Sequence, residues 1–126
     1  MKTGILGYKG RVHFEVTDCI NDELEKMVSD EDNRATVIAA VQKLIDKHIH
    51  KNYKIYPINY IALDERNGNT QYADRYTAAD KEKFDKYIAG QLAKIDLENK
   101  DEEFLRGKML EMYSNPAINY LAANAE

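Results

Sequence analysis

The stretch GRVHFEVTD, Gly10 to Asp18, decides how the fold is read. Along it Val12, Phe14 and Val16 share one face of an extended chain, and Arg11, His13 and Glu15 share the other. Such alternation predicts a strand. Just before it, ILGY (5–8) is a short apolar run and Lys9-Gly10 a turn, so residues 4–18 read as a β-hairpin. Everything after it reads as helix. The expected fold class is therefore α+β and predominantly helical, a short N-terminal β-hairpin followed by four to six helices. A lone two-stranded hairpin is marginal in water. Its strands then need the helices, another chain, or a larger sheet to which they belong.

Working outward, residues 21–29 predict a short helix capped by Asn21 or Asp22, with acidic residues complementing its dipole. The strongest helix covers about residues 32–50. Val37, Ile38, Val41, Leu44, Ile45, His48 and Ile49 form one apolar stripe along it. In NYKIYPINYIALDERNGN (52–69), Pro57 starts a helix through about Glu65, with an eight-residue strand as the competing reading. RNGN is a turn. Thr77-Ala78-Ala79-Asp80 fits a capping box opening a helix to about Ile95, with Phe84, Tyr87, Ile88, Leu92 and Ile95 on one face. A further helix covers about 101–114, with Phe104, Leu105, Met109 and Met112 inward. Ser114-Asn115-Pro116 should stop it, leaving a last short helix to Ala123.

The chain of 126 residues reads as one domain, the hairpin at 4–18 and a helical extension at 21–126. With 44% hydrophobic and 32% charged residues it should fold without disulfides or metals. A net charge of −4 argues against a nucleic-acid partner. The single Cys19 excludes an internal disulfide and suits a reducing cytoplasm. No apolar leader follows Met1, and no run reaches the roughly 20 apolar residues of a membrane span.

His13 and Asp18 form an H-x4-D pair, the spacing used by glycerolipid acyltransferases. On a strand, however, the two point to opposite faces and lie too far apart for a direct bond. His48 and His50 stand two apart on a helix, where side chains diverge and cannot share a metal. SDEDNR is acidic but lacks the central Gly and twelfth-position Glu of a calcium loop. No catalytic residue, metal site or cofactor is assigned. Nine tyrosines and no tryptophan are present, and five of the nine fall between Tyr53 and Tyr76. Tyr53, Tyr56, Asn59 and Tyr60 are the candidate binding residues, as an interface face for another domain or for lipid headgroups.

Three stretches carry a resemblance: GYKGRVHFEVTDCINDEL, YKIYPINYIALDERNG, and QYADRYTAADKEKFDKYIAGQLAKID followed by FLRGKMLEMYSNPAINYL. In this order they resemble the C-terminal part of bacterial 1-acyl-sn-glycerol-3-phosphate acyltransferase-like (lysophospholipid acyltransferase) proteins. The resemblance implies that GRVHFEV is the family's late strand and that the rest is a helical C-terminal extension. It implies a catalytic acyltransferase domain upstream in the same polypeptide, peripheral contact with the inner membrane face, and no activity in this chain alone. The family's N-H-x-S-x-x-D motif has no counterpart here, because Val12-His13-Phe14-Glu15-Val16-Thr17-Asp18 lacks its Asn and Ser. Its F-P-E-G-T block is absent as well. The alternative is a free-standing helical protein-interaction module. In either case, open strand edges at the N-terminus predict self-association through them.

Overall fold

The computed structural model describes residues 12–27 and 33–125. Among these residues the architecture is all-helical. Five α-helices follow one another: α1 (Asn21–Met27), α2 (Arg34–Lys51), α3 (Pro57–Asn67), α4 (Ala78–Ala93) and α5 (Glu102–Asn124). A 3-10 turn at Ala73–Arg75 bridges α3 and α4.

The helix boundaries follow local chemistry. The Asn33 side chain caps α2 by accepting from the Ala35 N–H at 2.9 Å. Pro57 opens α3 at the first helical position, where its missing N–H costs nothing. Gly68 closes α3 in the left-handed region at φ 63°. There the Asn69 N–H reaches the Asp64 carbonyl at 3.0 Å and the Gly68 N–H reaches that of Glu65 at 3.2 Å, a Schellman closure. The capping box at α4 forms as the sequence predicts: Thr77 Oγ accepts from the Asp80 N–H at 3.1 Å, and the Asp80 carboxylate accepts from the Thr77 N–H at 3.0 Å.

α3 is the central element. It packs along α5 and against α4, while α5 also covers α2. The core joins Ile61 and Ala62 of α3, Phe84, Ile88 and Leu92 of α4, and Leu110 of α5. Tyr76, Ile95, Leu105, Met109 and Tyr113 close around it. α5 turns Leu110, Ser114 and Ala117 inward, at positions i, i+4 and i+7. The small Ser and Ala let α3 approach closely. Phe104 and Met112, expected inward, lie on the exposed side.

Two expectations are corrected. The N-terminal β-hairpin does not form. Residues 12–20 are irregular, with no strand among the described residues, and the fold is helical instead of α+β. The alternation at Val12, Phe14 and Val16 is real, but a strand exists only with a partner ladder. The proposed first strand at 5–8 and its turn lie outside the described residues. Nor does α5 stop before Pro116, which lies inside the helix. Pro116 gives the Met112 carbonyl no N–H, and α3 surrounds the region with polar side chains. Asn59 Nδ2 donates to the Tyr113 carbonyl at 2.8 Å, and Arg66 donates to Ser114 Oγ at 3.2 Å and Asn115 Oδ1 at 3.4 Å.

Candidate functional site

The tyrosine-bearing segment wraps the N-terminal end of α3. Tyr53 and Tyr56 stand on the extended connection from α2, held there because Pro57 keeps its predecessor out of helical geometry. Both rings line a groove of about 360 Å³ together with Ile49, Asn52 and the side chains of His13, Glu15 and Thr17. Tyr56 then borders a second hollow, of about 420 Å³, with Pro57, Ile58 and Asp80. Ile58 borders a third, of about 270 Å³, floored by Phe84 and walled by Tyr87, Tyr113 and Lys83. Tyr56 is a wall of the first two hollows and Ile58 of the last two, and this row of hollows from Tyr53 to Tyr87 is the trough.

The four sequence-picked residues separate. Tyr53 and Tyr56 lie together in the trough. Asn59 is buried behind it. Its Oδ1 accepts from the Tyr56 N–H at 2.9 Å while its amide holds the Tyr113 carbonyl. Tyr60 faces the other way and packs on Tyr72, ring centroids 5.4 Å apart. Burial pushes the Tyr60 hydroxyl above its ordinary range, with the nearby Arg75 opposing.

At the far end of the trough, the hydroxyls of Tyr87 and Tyr113 share a hydrogen bond at 2.8 Å. The Tyr113 ring meets Phe84 and Tyr87 edge-on. Burial, and then the bond and the charge of Tyr87, push the Tyr113 phenol up to about 12. It is a neutral wall at physiological pH and no nucleophile. Among the described residues Lys83 makes no ion pair, but its charge, after the Thr77 hydrogen bonds, helps hold the Asp80 carboxyl of the neighbouring hollow below its ordinary range. Sequence reasoning placed Tyr87 in the core stripe of α4. Its position at the edge of that stripe, one residue before Ile88, was the available signal for a groove wall.

Behind the trough, polar groups are spent on structure. The buried Asp64 carboxylate accepts from the Tyr72 N–H at 3.1 Å and from the Tyr76 hydroxyl at 2.9 Å. Arg106 of α5 bridges Glu65 at 2.7 Å and Asp85 at 2.9 Å, and Lys81 pairs with the same two carboxylates. This ring of alternating charges ties α3, α4 and α5 together.

The histidines do not converge. His13 Nε2 bonds Glu15 at 2.8 Å and not Asp18. His48 bonds Glu23 of α1 at 2.8 Å, and His50 lies against Tyr53 and Asn119. Among the described residues no group of three or more His, Cys, Asp or Glu side chains is placed to hold a metal ion. No helix among them is long and apolar enough to cross a membrane. The arrangement presents apolar and aromatic contact surface with fixed walls, and no convergent reactive groups. No family model, curated protein or solved structure matches the chain.

Proposed function

We propose that this chain is a helical protein-interaction module. Its docking face is the trough from Tyr53 to Tyr87, and its occupant is an extended segment of a partner protein. That segment carries a bulky apolar anchor beside an acidic residue. The observation supporting this most directly is the third hollow, where aromatic and aliphatic side chains line a space of side-chain size and Lys83 stands at the edge. Aromatic walls give contact area at little entropic cost, and one charge at the rim selects orientation.

A photo-crosslinking residue placed at Tyr87 in cells tests the reading, with the same residue at exposed Glu82 as the control. A discrete adduct from position 87, absent at 82 and lost with Lys83→Glu, supports it. No adduct, or one indifferent to Lys83→Glu, overturns it.

The acyltransferase resemblance gives this reading a particular form. The partner is then the catalytic domain of a glycerolipid acyltransferase, carried upstream in the same polypeptide, and this chain supports it without doing chemistry. The irregular course of residues 12–16 removes the strand from that resemblance. Blotting source-cell extracts with an antiserum against the chain separates the two forms. A band near 14.5 kDa favours a free-standing module, and one more than twice that size favours the accessory domain.

A further inference from the structure

Residues 12–17 lie at the surface with their apolar side chains bare. His13, Glu15 and Thr17 border the groove of Tyr53 and Tyr56 while remaining exposed themselves. The apolar ones face out: Val12 is 66% exposed, Phe14 88% and Val16 92%. Among the described residues, the backbone of 12–19 makes no hydrogen bond to another backbone segment. An irregular stretch with exposed apolar side chains, and with no backbone partner among the described residues, is free to pair with a second strand.

The sequence of this stretch is complementary to itself. An antiparallel pair centred on Phe14 sets Phe14 against Phe14 of a second copy. Val12 then meets Val16, and His13 meets Glu15, twice each by symmetry. Every opposed pair is matched: aromatic with aromatic, branched aliphatic with branched aliphatic, base with acid. A two-fold axis through one residue is what an isologous contact requires. His13 and Glu15 already lie within hydrogen-bonding distance inside one copy, at 2.8 Å, so the same side chains reach across to a neighbour with little rearrangement.

We infer that the chain forms a two-fold homodimer through an intermolecular antiparallel ribbon of residues 12–16, registered on Phe14. No strand is present in one copy alone, because the ladder is completed only by the second. His13, Glu15 and Thr17 border the same groove as the α2–α3 connection, a neighbour that a free two-stranded ribbon lacks. The contact is small, so the dimer is weak and exchanges readily, with a dissociation constant on the order of tens to hundreds of micromolar. The inference stands apart from what the trough binds.

Sedimentation of the purified 126-residue chain tests it. The weight-average mass should rise from 14.5 kDa toward twice that value as concentration increases. Phe14→Asp should abolish the rise. Phe14 is exposed and outside the core, so the melting curve of that variant should match the parent. His13→Glu should weaken the dimer at least several-fold, and His13→Glu with Glu15→Lys should restore it. Register is read by oxidative crosslinking in a Cys19→Ser background. Phe14→Cys should link to itself, and Val12→Cys should link to Val16→Cys but not to itself. A mass that stays at the monomer value, a dimer indifferent to Phe14→Asp, or self-linking of Val12→Cys each overturns the inference.

Discussion

Asn59 and Tyr113 join the two helices that dominate the fold. The Asn59 amide donates to the Tyr113 carbonyl at 2.8 Å, three residues ahead of Pro116, while its own oxygen holds the first turn of α3. One buried side chain thus serves a helix start and a helix interruption together. Asn59→Leu should cost about 1–2 kcal/mol, because it removes two part-buried hydrogen bonds, to the Tyr56 N–H and the Tyr113 carbonyl. Asn59→Asp, which keeps the acceptor and loses the donor, should also be destabilised. Urea unfolding monitored by circular dichroism reads both, and a loss below about 0.5 kcal/mol for Asn59→Leu would deny the contact its role.

Arg106 is the hub of the charge ring. Burial disfavours the Asp85 carboxylate, but the Arg106 hydrogen bond and the Lys81 charge outweigh it and hold Asp85 below its ordinary range. Arg106→Gln should destabilise by about 1–2 kcal/mol, discounted from a buried pair because the site is partly solvated. The effect should shrink in acid, as pH falls through the lowered range in which the Asp85 carboxylate protonates. A double-mutant cycle with Asp85→Asn should give less than the sum of the two single losses.

Stability should fall on the alkaline side. The Tyr60, Tyr76 and Tyr113 phenols all have raised pKa values in the folded chain, Tyr113 to about 12 against 10.0 for the free side chain. Folding therefore favours the protonated forms. Their contribution is complete below about pH 10 and is lost as pH climbs toward 12. Urea midpoints at pH 8, 10 and 11 should decline in that order, and Tyr113→Phe should flatten the decline. A midpoint unchanged from pH 8 to 11 would contradict the assignment.

Two glycines should respond with opposite signs. Gly68 closes α3 at φ 63° with no atom within 4 Å of an added Cβ, so Gly68→Ala should cost about 1 kcal/mol from backbone conformation alone. Gly90 lies inside α4 with equal room around it, so Gly90→Ala should gain about 0.5–1 kcal/mol. Thermal melts of the two single variants decide the matter.

The helices were legible where local chemistry decides them. Pro57 and Gly68 bracket α3, Thr77 and Asp80 open α4, and the 3.6-residue spacing marks Leu44, Phe84, Ile88 and Leu92 as inward. What escaped depends on partners distant in sequence. Pro116 ends a helix by local rule, yet α5 runs through it, with Asn59 and Arg66 of α3 bonded to Tyr113, Ser114 and Asn115 just before it. The alternation around Phe14 carries a strand signal without revealing whether a ladder partner is at hand. At the trough, Tyr53 and Tyr56 were visible through the density of tyrosines. Lys83, Tyr87 and Tyr113 were not, because only packing brings α4 and α5 alongside Ile58.

The pairing of α3 with α5 also sets an order of events during synthesis. Ile61 and Ala62 are made early, meet Phe84, Ile88 and Leu92 of α4 next, and gain Leu110 of α5 only some fifty residues after Ile61. Chains grow at roughly 5–20 residues per second, so α3 waits several seconds between its own synthesis and that of the α5 residues that cover it. The contact that holds the finished molecule together is thus the one whose absence exposes the nascent chain to aggregation for longest.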